Sequence, residues 1–493
     1  LIIVFTSAKV NCGAQETQNS TQYYTLDQVI ALAQKKSSDA LINIHSFRSS
    51  YWSYRSFKAG YMPNLSFNAK LPGITRTIEE VVQNDGSVDY RERNNASFRA
   101  DMALTQKVGL TGGTLYLQSG LQRLDNNFLT GTKSTQYLSS PISFGIVQPI
   151  FSYNAYKWDK IIEPMMYNEA KREFLEQNEE VAVTAINHFF NLLNAQLTRE
   201  ISYKNESNYD TLYKIAQGRF VLGKIAENEL LQLELNLLNA QIAVENAELN
   251  YNNALFIFKS YIRTKDNAPI ILVPPIVKSF FTINNEEAIT QATQNTSSIL
   301  SYERQIWQAR SDVAKAKHEG RFSADLSASF GLTQTSDKLL DVYKNPLDEE
   351  IISIDLSIPI LDWGQARGRI RMAESKLDMV QTQMEQNQID FNQNINLKVQ
   401  QFNMQQNQLF IAAKSDTVAQ KRFDITRKRY MIGQVNDVLE LNNAQIDNDK
   451  AKMSYYDALK TYWLIFYEIR RSTLYDFLNL QKIDFSPENV IVK

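Results

Sequence analysis

Phe322-Ser323-Ala324-Asp325-Leu326-Ser327-Ala328-Ser329-Phe330-Gly331-Leu332 alternates without a break. In an extended chain Phe322, Ala324, Leu326, Ala328, Phe330 and Leu332 point one way, and Ser323, Asp325, Ser327, Ser329 and Gly331 the other. Ile352, Ile354, Leu356 and Ile358 repeat the pattern against Ser353, Asp355 and Ser357. In the N-terminal half Phe98, Ala100, Met102 and Leu104 oppose Arg99, Asp101 and Thr105. Leu115 and Leu117 oppose Tyr116 and Gln118, and Ile142 and Ile146 flank Phe144 against Ser143 and Gly145. Each run is about 8–11 residues, the length a tilted strand needs to cross a hydrocarbon layer. A soluble sandwich with one wet face would show the same alternation. The strands number six at most, too few to close within one chain, and they carry no central Pro or Lys cluster at an edge. Pairing between subunits would remove those edges.

Outward from these strands the chain repeats itself, with copies offset by about 260 residues. Gln28-Val29-Ile30-Ala31-Leu32-Ala33 opens one helix and Glu287-Ala288-Ile289-Thr290-Gln291-Ala292 another, each after a polar stretch able to cap it. Both helices are expected to run on for about thirty residues to a glycine, Gly60 or Gly320. Strands follow, and each set ends near a proline, Pro149 or Pro359, before a longer helical region. The expected boundaries are a first repeat over 24–264 with strands in 64–151, and a second over 284–480 with strands in 321–360. A segment 265–283 containing Pro269, Pro274 and Pro275 joins them, and a tail of 481–493 follows.

Composition narrows the function. The chain has 493 residues, 52 Lys+Arg against 54 Asp+Glu, and a formal charge of −2, so no global basic field favours nucleic acid. One cysteine and three histidines exclude Cys/His zinc clusters and disulfide frameworks by counting. No serine nucleophile elbow, phosphate loop or dinucleotide fingerprint is present, and neither an enzyme nor a cofactor is expected. Gly 17 and Pro 11 are low counts for this length and favour long uninterrupted elements. Residues 1–14 read as the back half of a secretory signal, with cleavage after Ala14 favoured over acylation of Cys12 because Lys9 stands where a lipobox needs an aliphatic residue. No run approaches a membrane-spanning helix, so an exported chain that enters a membrane must do so with strands.

From Leu377 to Leu409 the sequence is dense in Asn and Gln, with apolar lines at Leu377, Met384 and Phe391, then Ile395, Phe402 and Leu409. Seven-residue lines imply left-handed coiled-coil packing, and an amide-rich remainder suits a face that meets water. Two turns share a signature, Arg219-Phe220-Val221-Leu222-Gly223 and Arg429-Tyr430-Met431-Ile432-Gly433. Each glycine interrupts a heptad pattern that resumes at once, as in a helical hairpin with a glycine C-cap.

These paired turns, each leading into a Leu-rich helix with Asn-Ala-Gln (Asn239-Ala240-Gln241, Asn443-Ala444-Gln445), and the duplicated order of helix, strands and helical hairpin resemble the TolC-type outer-membrane efflux proteins. The resemblance spans about Tyr24 to Leu480 and implies an α+β fold of long helical hairpins plus a transmembrane antiparallel β-barrel completed by trimerisation. It implies a homotrimer in the outer membrane of a Gram-negative bacterium, its helices in the periplasm, taking substrate from a periplasmic adaptor and an inner-membrane pump. It places the turns Gly223 and Gly433 at the periplasmic tip. Tyr430, Asp437, Glu440 and Glu229 would constrict the tip, and Arg219, Phe220, Arg429 and Tyr430 would meet the adaptor. Gln434 and Val435 replace a basic residue expected after Gly433, and an additional hairpin, Phe98–Val108 and Thr114–Arg123, leaves open whether each subunit contributes the family's four barrel strands or six. An exported coiled-coil scaffold or adhesin without channel activity is the competing reading.

Overall fold

The computed structural model describes residues 21–126, 134–264, 268–277, 279–434 and 438–484. The signal-like residues 1–14 and Cys12 lie outside them. In chain order the elements are β1 (Gln22–Tyr24), α1 (Leu26–Lys36), α2 (Ser38–Ala59), β2 (Asn64–Val82), β3 (Val88–Val108), β4 (Gly113–Asn126) and β5 (Ser134–Ile150). There follow α3 (Ala155–Val221), α4 (Glu227–Tyr261), β6 (Ile270–Leu272), α5 (Asn285–Asn295), α6 (Ser297–Glu319), β7 (Ser323–Ser336), β8 (Leu347–Ser357), α7 (Gln365–Met431) and α8 (Val438–Thr473). The duplication extends to lengths: α3 and α7 are both 67 residues, about 100 Å of helix, and α4 and α8 are 35 and 36.

The two helices expected to be continuous are each broken once, at equivalent places. Ser37 has ψ 156° and Thr296 ψ 158°, both extended, and each closes the preceding helix with its own N–H. The Ser37 hydroxyl then accepts from the Ala40 N–H at 3.1 Å, so the residue that ends α1 also caps α2. A small hydroxyl residue competing with the backbone is the physical reason for the break. The polar caps ahead of the helices are as read: Thr25 forms a capping box with Gln28, and the Asn284 side chain accepts from the Glu286 N–H.

The chain divides into two compact units, one of residues 1–46, 172–296 and 391–493 and one of 47–171 and 297–390. The second unit holds one six-stranded antiparallel sheet in the order β2-β3-β4-β5-β7-β8. Its strands, 11 to 21 residues long, exceed the expected runs because pairing continues past the alternating stretches, as in Val82↔Val88 at the β2–β3 turn. Pro72 and Pro141 fall where the register shifts, between Lys70 and Gly73 and between Ser139 and Ser143. A proline has no N–H to give to a ladder, so it sits where pairing is interrupted.

The first unit is built on helix packing. Ile186, Phe189, Phe190 and Leu192 of α3 pack with Val399 and Phe402 of α7 and with Leu459 and Phe466 of α8. Ile395, Phe402 and Leu409, one of the heptad lines, are buried as read. Part of the Asn/Gln-rich stretch has a different use from the expected water-facing wall. Asn403 accepts from the Ile283 N–H at 3.1 Å and donates to its carbonyl at 3.0 Å, and Gln406 treats Phe281 the same way. Gln196 of α3 donates to the Ile270 carbonyl and accepts from the Leu272 N–H. A primary amide carries a donor and an acceptor on one planar group at any pH near neutral, so these side chains act as strand edges for the segment joining the repeats. Gln383, Gln386 and Gln400 stay exposed, as the sequence reading requires.

Candidate functional site

Two features are built for use: the sheet's apolar face and the paired helical turns. In the sheet, register joins Leu65 to Leu104, Leu104 to Leu117, Leu117 to Phe144 and Phe144 to Phe330. A second row runs Leu115, Ile146, Ala328, Ile352. Side chains directly opposite in a ladder share a face, so one apolar surface continues across the strands. Phe67, Phe144, Phe330, Ile352 and Ile354 on it are all exposed. The other face carries Asp101, Gln118, Ser143, Ser329, Ser353 and the directly paired Asp325 and Asp355. Two carboxylates directly opposite repel, which is tolerable on a face that water wets. Gly145 lies under the Tyr116 ring, and a Cβ there would overlap it, so glycine is what lets an aromatic lie across this wet face. An exposed apolar surface this size on a folded chain marks a lipid or protein contact.

The two turns are the same structure twice. Gly223 has φ +65° and Gly433 φ +76°, the left-handed region that glycine occupies cheaply. The Gly223 N–H donates to Phe220 O (2.8 Å) and the Lys224 N–H to Arg219 O (2.9 Å); Gly433 and Gln434 repeat this with Tyr430 O and Arg429 O. This double bond pattern caps a helix C-terminus and lets the chain reverse into the next helix.

The structure brings Arg219 and Tyr430 together across the two hairpins. The Arg219 guanidinium lies 5.0 Å from the Tyr430 ring centroid, and its Nη2 donates to the carbonyls of Tyr430 (2.9 Å) and Met431 (3.3 Å). Those are the last carbonyls of α7, where a cation meets both orphan acceptors and the negative end of the helix dipole. Tyr430 is 1% exposed and packs with Leu212, Ala216, Leu233, Phe423, Val438 and Leu441. Burial pushes its phenol pKa up, Arg219 pulls it down, and nearby Glu229 adds to the rise. Arg219 and Tyr430, both expected to face an adaptor, are thus turned inward, whereas Phe220 and Arg429 are exposed. Arg429 reaches Glu440 on α8 at 3.9 Å. Asp437 lies outside the described residues. Sequence reasoning missed Val221, Leu222 and Ile432, exposed apolar residues at the turns. Their signal was present as apolar residues directly before each glycine.

A chain that presents a strand-built apolar surface and long helical hairpins with duplicated tips has the parts of a β-barrel membrane channel. No helix among the described residues is long and apolar enough to cross a membrane. Residues 288–464 match the family model "Outer membrane efflux protein". The chain is similar in structure to the CmeC outer membrane channel of Campylobacter jejuni, with TM-score 0.66 and 16% identity over 95% of this chain and 88% of that one. It is similar also to the outer membrane protein VceC of Vibrio cholerae (TM-score 0.63, 11% identity, 93% and 97% covered). A third similar structure is the open-state MtrE outer membrane channel of Neisseria gonorrhoeae (TM-score 0.62, 13% identity, 91% and 88% covered). Comparison with curated proteins finds no match. Residues 288–464 carry the sequence pattern of the outer membrane efflux proteins, and the chain as a whole has the fold of these outer membrane channels.

Proposed function

We propose that three copies of this chain close one barrel and one helical tunnel, and that the channel is the outermost part of a tripartite efflux or type I secretion system. A periplasmic adaptor and an inner-membrane pump deliver substrate, and the channel conducts it passively to the exterior of a Gram-negative cell. The observation that carries this reading is the six-stranded sheet whose outer strands, β2 and β8, are each paired on one side only among the described residues, with an apolar row from Leu65 to Phe330 that ends against Glu350 on β8. Open edges with a lipid-compatible face need partners of the same kind, and three chains of six strands close eighteen. Barrel width grows with strand number, so this exit is wider than one of four strands per chain.

The tips carry the gate. Arg219 ties the first hairpin to the end of α7 in the second, and opening consists of that contact breaking as the hairpins move apart. Asp437, Glu440 and Glu229, repeated by threefold symmetry, form carboxylate rings that attract cations. Phe220, Val221, Leu222, Arg429 and Ile432 form the adaptor-docking surface, an apolar patch with a basic rim. Planar-bilayer recording tests the gate: Asp437→Ala with Glu440→Ala is expected to raise conductance and weaken block by multivalent cations. Unchanged conductance and block in the double variant would remove these residues from the gate.

A further inference from the structure

Strand β8 stays apolar past the point where its ladder stops. The last rung is Ser323↔Ser357, yet the line Ile352, Ile354 and Leu356 on the apolar face continues at the same spacing into Ile358 and Ile360. All five are exposed, Ile360 at 94%. Leu361 and Trp363 follow before α7 begins, both exposed, Trp363 at 89%. Phe151 and Phe322 are exposed at the same end of the sheet, with ring centroids 5.0 Å apart.

This junction has a defined geometry. Trp363 has φ +52° and Gly364 φ +85°, two left-handed residues in succession. The Asp362 carboxylate accepts from the N–H groups of Gly364 and Ala366, each at 2.9 Å, and the Asp362 carbonyl accepts from the Gln365 N–H. Those bonds start α7 and fix the direction in which Trp363 leaves the chain. The first repeat supplies a comparison. Tyr153 stands four residues past Pro149, as Trp363 stands four past Pro359, and the Tyr153 hydroxyl is hydrogen-bonded to Ser311. Trp363 is open where its counterpart is tied down.

Charge completes the pattern. Arg367, Arg369 and Arg371 follow at the start of α7, all exposed, and its first turn holds no acid. Cations at a helix N-terminus oppose the helix dipole, so they suit an anion outside the helix. Arg371 is shared with Glu374 at 3.3 Å, whereas Arg367 and Arg369 form no ion pair among the described residues. Aliphatic side chains, then tryptophan, then arginine is the order in which a bilayer presents acyl chains, headgroup boundary and phosphate.

We infer that the β8–α7 junction binds anionic phospholipid in the leaflet at the helical end of the barrel. Ile358 and Ile360 meet acyl chains, the Trp363 indole lies at the headgroup boundary, and Arg367 and Arg369 pair with the phosphates. The occupant follows from continuity, because lipid that covers Ile354 and Leu356 is in place to cover Ile358 and Ile360. This rests on the barrel reading above and adds to it a class of lipid and the residues that select it.

The test uses the full chain reconstituted in phosphatidylcholine vesicles with and without phosphatidylglycerol. Lipid brominated near the headgroup is expected to quench the tryptophan fluorescence of the parent more than that of Trp363→Phe, and lipid brominated near the bilayer centre to quench both alike. Native mass spectrometry is expected to show phosphatidylglycerol retained over phosphatidylcholine. Arg367→Gln with Arg369→Gln should lower that preference about thirty-fold. Headgroup quenching unchanged by Trp363→Phe, or equal retention of the two lipids by the parent, would overturn the site; a second copy covering Trp363 would give the first of these results. Bilayer conductance of the parent separates the two readings. Conductance steps without the lipid effects would overturn the site and leave the channel standing, and neither steps nor quenching at any depth would overturn both.

Discussion

Arg470 is one cation set between two buried carboxylates, Glu179 at 3.0 Å and Asp476 at 2.7 Å. Burial raises the Glu179 pKa, with Arg470 opposing and Asp476 adding to the rise. An acid whose folded pKa is raised holds its proton longer in the folded state. Its contribution to stability is therefore complete below the ordinary glutamate pKa and is lost as pH climbs through the folded value. Glu179→Gln keeps the shape without the titration, so its melting temperature should gain on the parent's between pH 4 and pH 8. A constant difference across that range would show that Glu179 ionises as an ordinary carboxyl. This cluster was not legible in the sequence, because Glu179 and Arg470 lie in different repeats and nothing in their neighbours marks them as partners. The same holds at the tip, where Arg219 and Arg429 occupy equivalent places in one motif and only Arg219 turns inward.

Strands and turns were the most readable elements. A period of two survives any tertiary context that leaves one face wet and the other dry, so the faces around Phe322 and Ile352 could be assigned residue by residue. Glycine at the turns was equally plain, since few residues accept φ near +70°. Helix breaks at Ser37 and Thr296 were hidden because one hydroxyl residue in a long apolar pattern is common inside helices too. The amide clamps on Ile283 and Phe281 were hidden for a related reason: a heptad shows which residues face a neighbour, not whether that neighbour is a helix or a bare backbone. The sheet assignment has its own test. Ile354→Arg places a cation on the apolar face, at a cost of about 2–4 kcal/mol if it sits near mid-bilayer, and should block insertion into outer-membrane vesicles. Ser353→Arg, one residue along and on the wet face, should insert normally. Equal behaviour of the two would mean the faces do not divide lipid from water.

At the scale of the whole molecule the proposed function rests on the apolar face of the six-stranded sheet and, separately, on the contact between the two hairpin turns. The tip link is modest in energy. Hydrogen bonds from a guanidinium to two carbonyls and a cation–π contact amount to about 2 kcal/mol, on the order of thirty-fold in a closed-to-open ratio. Such a link can hold a channel shut at rest and still yield to a docking partner. An exported coiled-coil scaffold would share the helices and their heptads, but it has no use for a continuous apolar face across six strands. Single-channel recording in planar bilayers, with the parent chain beside Arg219→Ala, decides whether the hairpin contact holds a conducting channel shut. The parent is expected to give discrete steps of small conductance and the variant larger or longer openings. A variant that inserts as a folded trimer and passes no current would contradict a channel gated at these turns.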